Sequence, residues 1–233
     1  QTLRSKLEPR DYQIDGFVHA VRNNRCLLLS PTGSGKSFII YLITRFYPQR
    51  KLIIVPTISL VHQLEKDFKD YSGQPGFRTL KISGDTNKDW VHRIDEDIVI
   101  TTWQSIYKMP RDWFTQFGVV IGDEAHQYKA KSLTSILEKM PTCKYRFGFT
   151  GTLDGTETHQ LVLEGLFGKV KALVKTKELM EANQLAKLHI KILLLKYSKQ
   201  TCKERSGLKY SDEMGFIVGH QKRNEFIQNL ALS

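Results

Sequence analysis

Six short apolar runs, separated by amphipathic stretches, constrain the fold of this 233-residue chain more than any other feature. They are Cys26–Leu29, Leu52–Val55, Thr79–Ile82, Ile98–Ile100, Val119–Ile121 and Arg146–Phe149. Each is mostly unbroken, and together they are rich in Ile, Val, Leu and Phe. That is the composition of strands covered on both faces. Helical patterns lie between them at Ser37–Tyr47, Ser59–Tyr71 and Ser132–Met140. In Ser59–Tyr71, the residues Leu60, Val61, Leu64 and Phe68 fall on one helical face. The alternation predicts an α/β domain: a mostly parallel sheet with helices on both faces, joined by right-handed crossovers.

The texture changes after about residue 153. Gly155, Gly165 and Gly168 interrupt the pattern. A short helix is expected over Thr176–Asn183, an extended strand over Leu188–Tyr197, a polar loop over 198–215 and a helix over Lys222–Leu232. One strand and one helix cannot bury a core of their own. The expected organisation is therefore a domain over residues 1–170, a linker over 171–187, and the first elements of an incomplete second domain over 188–233. A fragment of a longer protein is the expectation, a naturally truncated protein the alternative.

The net charge is +11, from 35 Lys+Arg against 24 Asp+Glu. Residues 171–233 carry 12 of the basic and 6 of the acidic side chains. Such an excess favours polyanion partners, nucleic acid first; a solvated lysine-rich surface is the plainer alternative. Three scattered cysteines, Cys26, Cys143 and Cys202, argue against a disulfide framework and a structural zinc site. They fit a reducing, intracellular setting. No apolar run approaches the roughly 20 residues that span a bilayer, so no membrane partner is expected.

Residues 30–37 read Ser-Pro-Thr-Gly-Ser-Gly-Lys-Ser between a strand and a helix. A helix start presents unpaired N–H groups and partial positive charge to an anion. Gly33 and Gly35 let the loop formed with Thr32 and Ser34 curl its amides toward phosphate. Lys36 would reach the β- and γ-phosphates, and the Ser37 hydroxyl would ligate Mg²⁺. The strict pattern begins with glycine where this chain has Ser30, a position that needs only a small residue. Further on, the run Val119-Val120-Ile121-Gly122 ends in Asp123-Glu124-Ala125-His126. Strand ends are where ligands bind in open α/β sheets. Asp123 would hold Mg²⁺, largely through water, and Glu124 would deprotonate the attacking water.

These two motifs resemble those of the first motor domain of superfamily 2 helicases, with Asp123–His126 as a DEAH-type box. Four further stretches fit in order. Pro9-Arg10-Asp11-Tyr12-Gln13 resembles the adenine-recognition segment, with Arg10 and Gln13 at the nucleotide. Val55–Gln63, including Pro56, Thr57 and Gln63, resembles the motif that grips a nucleic-acid backbone. Ile100–Ser105, with Thr102 and Gln104, resembles a second such motif. Phe149-Thr150-Gly151-Thr152 resembles the motif that couples hydrolysis to strand separation. The resemblance implies a RecA-like fold, ATP and Mg²⁺ as ligands, and His126 bridging to Thr150 or Thr152. The forms Thr-Trp-Gln-Ser and Thr-Gly-Thr-Leu are most similar to the DNA-directed branch, which includes phage recombination helicases.

The implied activity is an ATP-dependent motor on single-stranded, duplex or branched DNA, or on an RNA–DNA hybrid, with sequence-independent contacts. A monomer is the expectation. The translocating subunit of a restriction system, or a nucleotide-regulated binding module without turnover, stays open. Trp103 is read as packing, with base stacking as the alternative. Gly84 is either a phosphate contact or a plain strand-end turn. The second motor domain of the family carries an arginine finger, and no matching motif is found here, so the fragment is expected to be inactive or weakly active.

Overall fold

The computed structural model describes residues 7–74, 77–82, 94–129, 131–153, 157–186 and 192–232. The chain divides into two compact units, Gln1–Ala186 and Lys187–Ser233. The strands of the first unit are β1 (Arg25–Leu29), β2 (Lys51–Val55), β3 (Leu80–Ile82), β4 (Ile98–Thr102), β5 (Val119–Gly122), β6 (Tyr145–Thr150) and β7 (Val170–Ala172). They form one sheet in the order β3-β4-β2-β5-β6-β1-β7, with every neighbouring pair parallel.

Successive side chains of a strand point to opposite faces, and here both faces are buried. Cys26 and Leu28 of β1 enter one core with Ile53, Ile121, Phe147 and Phe149. Leu27, between them, enters another with Leu52, Ile54 and Val120. The first core is covered by α1 (Asp11–Asn23), α2 (Lys36–Phe46) and α3 (Ile58–Ser72), which contribute Ala20, Ile39, Ile43, Val61 and Phe68. The second is covered by α4 (Trp103–Ile106), α5 (Arg111–Phe114), α6 (Lys131–Glu138) and α7 (Glu157–Phe167), through Ile106, Phe114, Leu137, Leu163 and Phe167. The double coverage explains why the strands read as unbroken apolar runs. Because all strands run one way, the loops after β1, β2, β4, β5 and β6 emerge at one edge.

All six predicted strands form, each with its ends moved by two residues or fewer. The region after residue 153 differs from expectation. α7 forms through Gly165, because Leu163 and Phe167 are fully buried on it. It stops at Gly168, whose φ of +109 favours glycine; a Cβ there would lie 2.6 Å from the Arg25 carbonyl oxygen. Residues 170–186 carry an edge strand and the expected short helix. Val170–Ala172 pairs with β1, and α8 (Thr176–Glu181) buries Leu179. An edge strand of three half-exposed residues carries too little apolar pattern to be read in advance.

In the second unit, residues 188–191 of the expected strand lie outside the described residues. Residues 192–197 form no strand, and Ile192 is 87% and Leu194 78% exposed. A strand needs a neighbour for its N–H and C=O groups, and the described residues of this unit hold none. The expected loop over 198–215 instead contains helices α9 (Lys199–Arg205) and α10 (Tyr210–Gly219). Ser198 caps α9 by accepting from the Thr201 amide at 3.1 Å. Polar all round, α9 has no periodic apolar signature. The last helix, α11 (Gln221–Leu232), matches expectation. Tyr197 and Phe216 meet at a tilt and each packs edge-to-face with His220, and Arg205 lies over the Phe216 ring at 4.7 Å.

All three cysteines are free, Cys26 and Cys143 buried and Cys202 exposed. Among the described residues no helix is long and apolar enough to cross a membrane.

Candidate functional site

The loop between β1 and α2 takes its shape from its glycines. Gly33 and Gly35 have φ of 80° and 79°, the left-handed region that side chains disfavour. A side chain would also displace its neighbours. A Cβ on Gly35 would lie 2.5 Å from Gln13 Nε2, and one on Gly33 2.6 Å from the Leu185 side chain. Ser30, the departure from the strict pattern, is buried and contributes to the loop. Its Oγ is 2.6 Å from Ser34 Oγ, and its amide donates to the Thr150 carbonyl at 2.9 Å.

The carboxylate pair arrives at the same edge on β5, two strands from β1 across β6. Lys36 Nζ donates to Glu124 Oε1 at 3.2 Å. Glu124 has φ 47, an uncommon backbone for a non-glycine residue that costs roughly 1–3 kcal/mol. Its carbonyl accepts from the Gln127 amide at 3.0 Å, which helps to hold that turn. His126 Nδ1 lies 3.1 Å from Thr150 Oγ1 and 3.4 Å from Glu124 Oε2. Thr150 Oγ1 donates its one proton to the Thr152 carbonyl at 2.8 Å. Both neighbours of Nδ1 are therefore acceptors, and His126 carries its proton there. Gly151 lies close against the loop, since a Cβ there would be 3.7 Å from both the Ser30 carbonyl oxygen and the Thr32 amide.

Asp123 is the electrostatic outlier. Burial pushes its carboxyl above the ordinary carboxylate value, while Lys36 pulls it down and Glu124 raises it further. Its Oδ1 is buried with no hydrogen-bond partner among the described residues. A buried carboxylate oxygen without a donor is costly unless a cation or a donor reaches it. Asp123 and the Ser37 hydroxyl are hard oxygen donors facing one cavity, so the residues present fit a Mg²⁺ ion.

That cavity, of about 390 Å³, is lined by Thr32, Gly33, Gly35, Lys36, Ser37, Asp123 and Glu124, and across from them by α3. It thus joins most of the residues that the two motifs nominated. Gln63, expected on a nucleic-acid track, also lines it. Arg10 and Gln13 stand just behind the loop. Gln13 is buried; its Nε2 donates to the Ser34 carbonyl at 3.0 Å, and its Oε1 accepts from the Arg10 amide at 3.0 Å. In this structure the Gln13 amide braces the loop. Arg10 reaches the loop through Tyr12, whose hydroxyl donates to the Ser34 carbonyl at 2.7 Å.

Pro56, Thr57, Thr102 and Gln104 share the same sheet edge, since Val55 of β2 is in register with Thr102 of β4. Thr57 and Gln104 are exposed. Thr57 also caps α3, its Oγ1 accepting from the Leu60 amide at 3.3 Å. Thr102 is buried and its hydroxyl bonds Ser105 at 3.0 Å. Trp103 packs against the second core and stacks edge-on with Tyr107, the packing role expected of it. Gly84 lies outside the described residues.

Two residues escaped the sequence reading. Asp67 lines the cavity, and Tyr71 Oη is 2.8 Å from Ser37 Oγ. The signal was present: Leu60, Gln63, Leu64, Asp67 and Tyr71 recur at three- and four-residue spacing along α3, one face of a helix.

The family model described as "Type III restriction enzyme, res subunit" matches residues 6–155. The chain belongs to that family. It is 36% identical over 231 residues to the ATP-dependent DNA helicase uvsW of Enterobacteria phage T4, covering 97% of this chain and 46% of that protein. It is 26% identical to the DNA 3'-5' translocase XPB2 of Sulfurisphaera tokodaii, covering 89% of this chain and 45% of the other. The crystal structure of the UvsW helicase from bacteriophage T4 superposes with a TM-score of 0.65 at 36% identity, over 73% of this chain and 62% of that one. The chain thus spans about half the length of the curated relatives it matches. Its sheet is that of a RecA-like α/β domain, and the superfamily 2 resemblance of its motifs agrees with the family and these relatives.

Proposed function

We propose that this chain is the ATP-binding motor domain of a DNA helicase or translocase, and that residues 188–233 open a second motor domain. The observation that carries the reading is one cavity holding the glycine loop, a Lys36–Glu124 ion pair and the unpartnered Asp123 oxygen. Loop amides and Lys36 bind the triphosphate. Ser37 and Asp123 hold Mg²⁺, which when bound neutralises phosphate charge. Without a triphosphate, Lys36 neutralises Glu124. As the phosphates draw Lys36 away, the Glu124 carboxylate is freed to accept a proton from the attacking water. His126 lies between Glu124 and Thr150, and so passes a change at the carboxylate to the Thr150–Thr152 segment. Pro56 and the exposed Thr57 and Gln104 face a nucleic-acid strand and contact its backbone without reading sequence, with Thr102 beneath them at the same edge.

The helicase reading is preferred to a restriction translocase by the 36% identity with the phage helicase across nearly the whole chain. A branched DNA substrate is part of that preference. The intact Lys36–Glu124–His126 set favours turnover over regulatory nucleotide binding. Titration with a fluorescent ATP analogue and Mg²⁺ tests the site. Lys36→Ala is expected to weaken binding by about 10- to 100-fold, the value of one or two charge-assisted hydrogen bonds. Glu124→Gln should keep binding and, in the full protein, abolish hydrolysis. ATPase rates of the full protein with single-stranded, duplex and branched DNA and with RNA test the substrate class; equal rates with and without nucleic acid would remove the motor reading.

A further inference from the structure

The Ser37 hydroxyl is held by a second element. Tyr71 Oη lies 2.8 Å from Ser37 Oγ, and Asp67, one helical turn earlier on α3, lines the same cavity as Ser37. The Tyr71 ring cannot swing freely. It packs edge-on against Phe38 at 5.1 Å and Tyr41 at 5.6 Å, both on α2, the helix that Lys36 and Ser37 begin. Burial raises the Tyr71 phenol above its ordinary value, so it remains a donor at neutral pH. Burial also raises the Asp67 carboxyl.

We infer that Tyr71 is a positioning residue for the metal ligand Ser37, holding its hydroxyl so that a lone pair is left for the divalent ion. A hydroxyl has one proton and two lone pairs. With Tyr71 donating to one lone pair at 2.8 Å, the other is left for the cavity that also holds the Asp123 oxygen. A serine free to rotate would lose that orientation on each departure of the ion. The inference rests on the nucleotide reading above and concerns only the metal step within it.

The test is nucleotide binding by the whole chain, followed with a fluorescent ATP analogue in EDTA and across a Mg²⁺ titration. Tyr71→Phe keeps the ring and removes only the hydroxyl. It is expected to raise the Mg²⁺ concentration for half-maximal binding about threefold, as for the loss of a neutral hydrogen bond. Affinity in EDTA should be unchanged. In a Ser37→Ala background Tyr71→Phe should have no further effect, because the group it orients is gone. Equal losses in EDTA and in Mg²⁺ would mean a merely structural role and overturn the inference. So would an unchanged Mg²⁺ requirement, or full effects in the Ser37→Ala background. If the unmodified chain binds no nucleotide at all, it is the underlying nucleotide reading that fails.

Discussion

Strand β4 and the stretch Ile192–Tyr197 are both short apolar runs, and the molecule treats them differently. Ile98–Thr102 is buried along its whole length between β2 and β3. Ile192–Leu195 forms no strand and is 40–87% exposed. Ile98–Thr102 is β-branched throughout, whereas Ile192–Leu195 is mostly leucine, so intrinsic preference for extended backbone favours the first. The surroundings differ as well: neighbouring strands accept the backbone hydrogen bonds of β4 and helices cover the sheet. The lesson extends to the two units, each taken by itself. The first has two cores, one on each sheet face. Among described residues 192–232 none is buried, and local caps and the Tyr197–Phe216–His220 contacts hold the helices.

Chemical denaturation of single variants puts that contrast at risk. The largest effect is expected from Phe147→Ala. This side chain is fully buried on β6 and touches Tyr47 across 5.7 Å, so the change should cost about 3–5 kcal/mol. A cost below about 1 kcal/mol would mean that the sheet core is not the source of stability. Thr57→Ala comes next. It removes the cap of α3 and should cost about 1 kcal/mol. Because Thr57 also faces the proposed nucleic-acid strand, its effect on DNA affinity should exceed its effect on unfolding if that contact exists. The smallest effect is expected from Leu194→Ser, within about 0.5 kcal/mol. Should Leu194→Ser destabilise this chain as strongly as Phe147→Ala, residues 192–232 are packed far more tightly than their exposure indicates.

Much of the site was legible because its chemistry demands residue types at fixed spacing. Gly33 and Gly35 were readable because only glycine adopts their backbone without strain. Asp123 and Glu124 were readable because an apolar run ended on them, and the strand then carried them to the ligand edge. His126 is expected to bridge to Thr150 or Thr152, and its Nδ1 lies 3.1 Å from Thr150 Oγ1. Ser30 was read as a tolerated small residue; its bond to Ser34 across the loop depends on a turn that spacing does not describe. Gln13 was assigned to a base edge, whereas its amide is engaged by Ser34 and Arg10, a matter of packing between α1 and the loop. Asp67 and Tyr71 passed unnoticed because a polar stripe on a helix has no meaning until the element opposite is known.

The sequence by itself determined β1 to β6, the double coverage of the sheet and the two phosphate-facing motifs. Burial of both sheet faces and the backbone needs of an anion loop each leave a local record. Tertiary structure decided the rest. It paired Val170–Ala172 with β1, left Ile192–Tyr197 without a strand partner, and set the Ser37 hydroxyl against α3. Those outcomes depend on which distant segment supplies the second half of a hydrogen bond, and one stretch of chain does not carry that information.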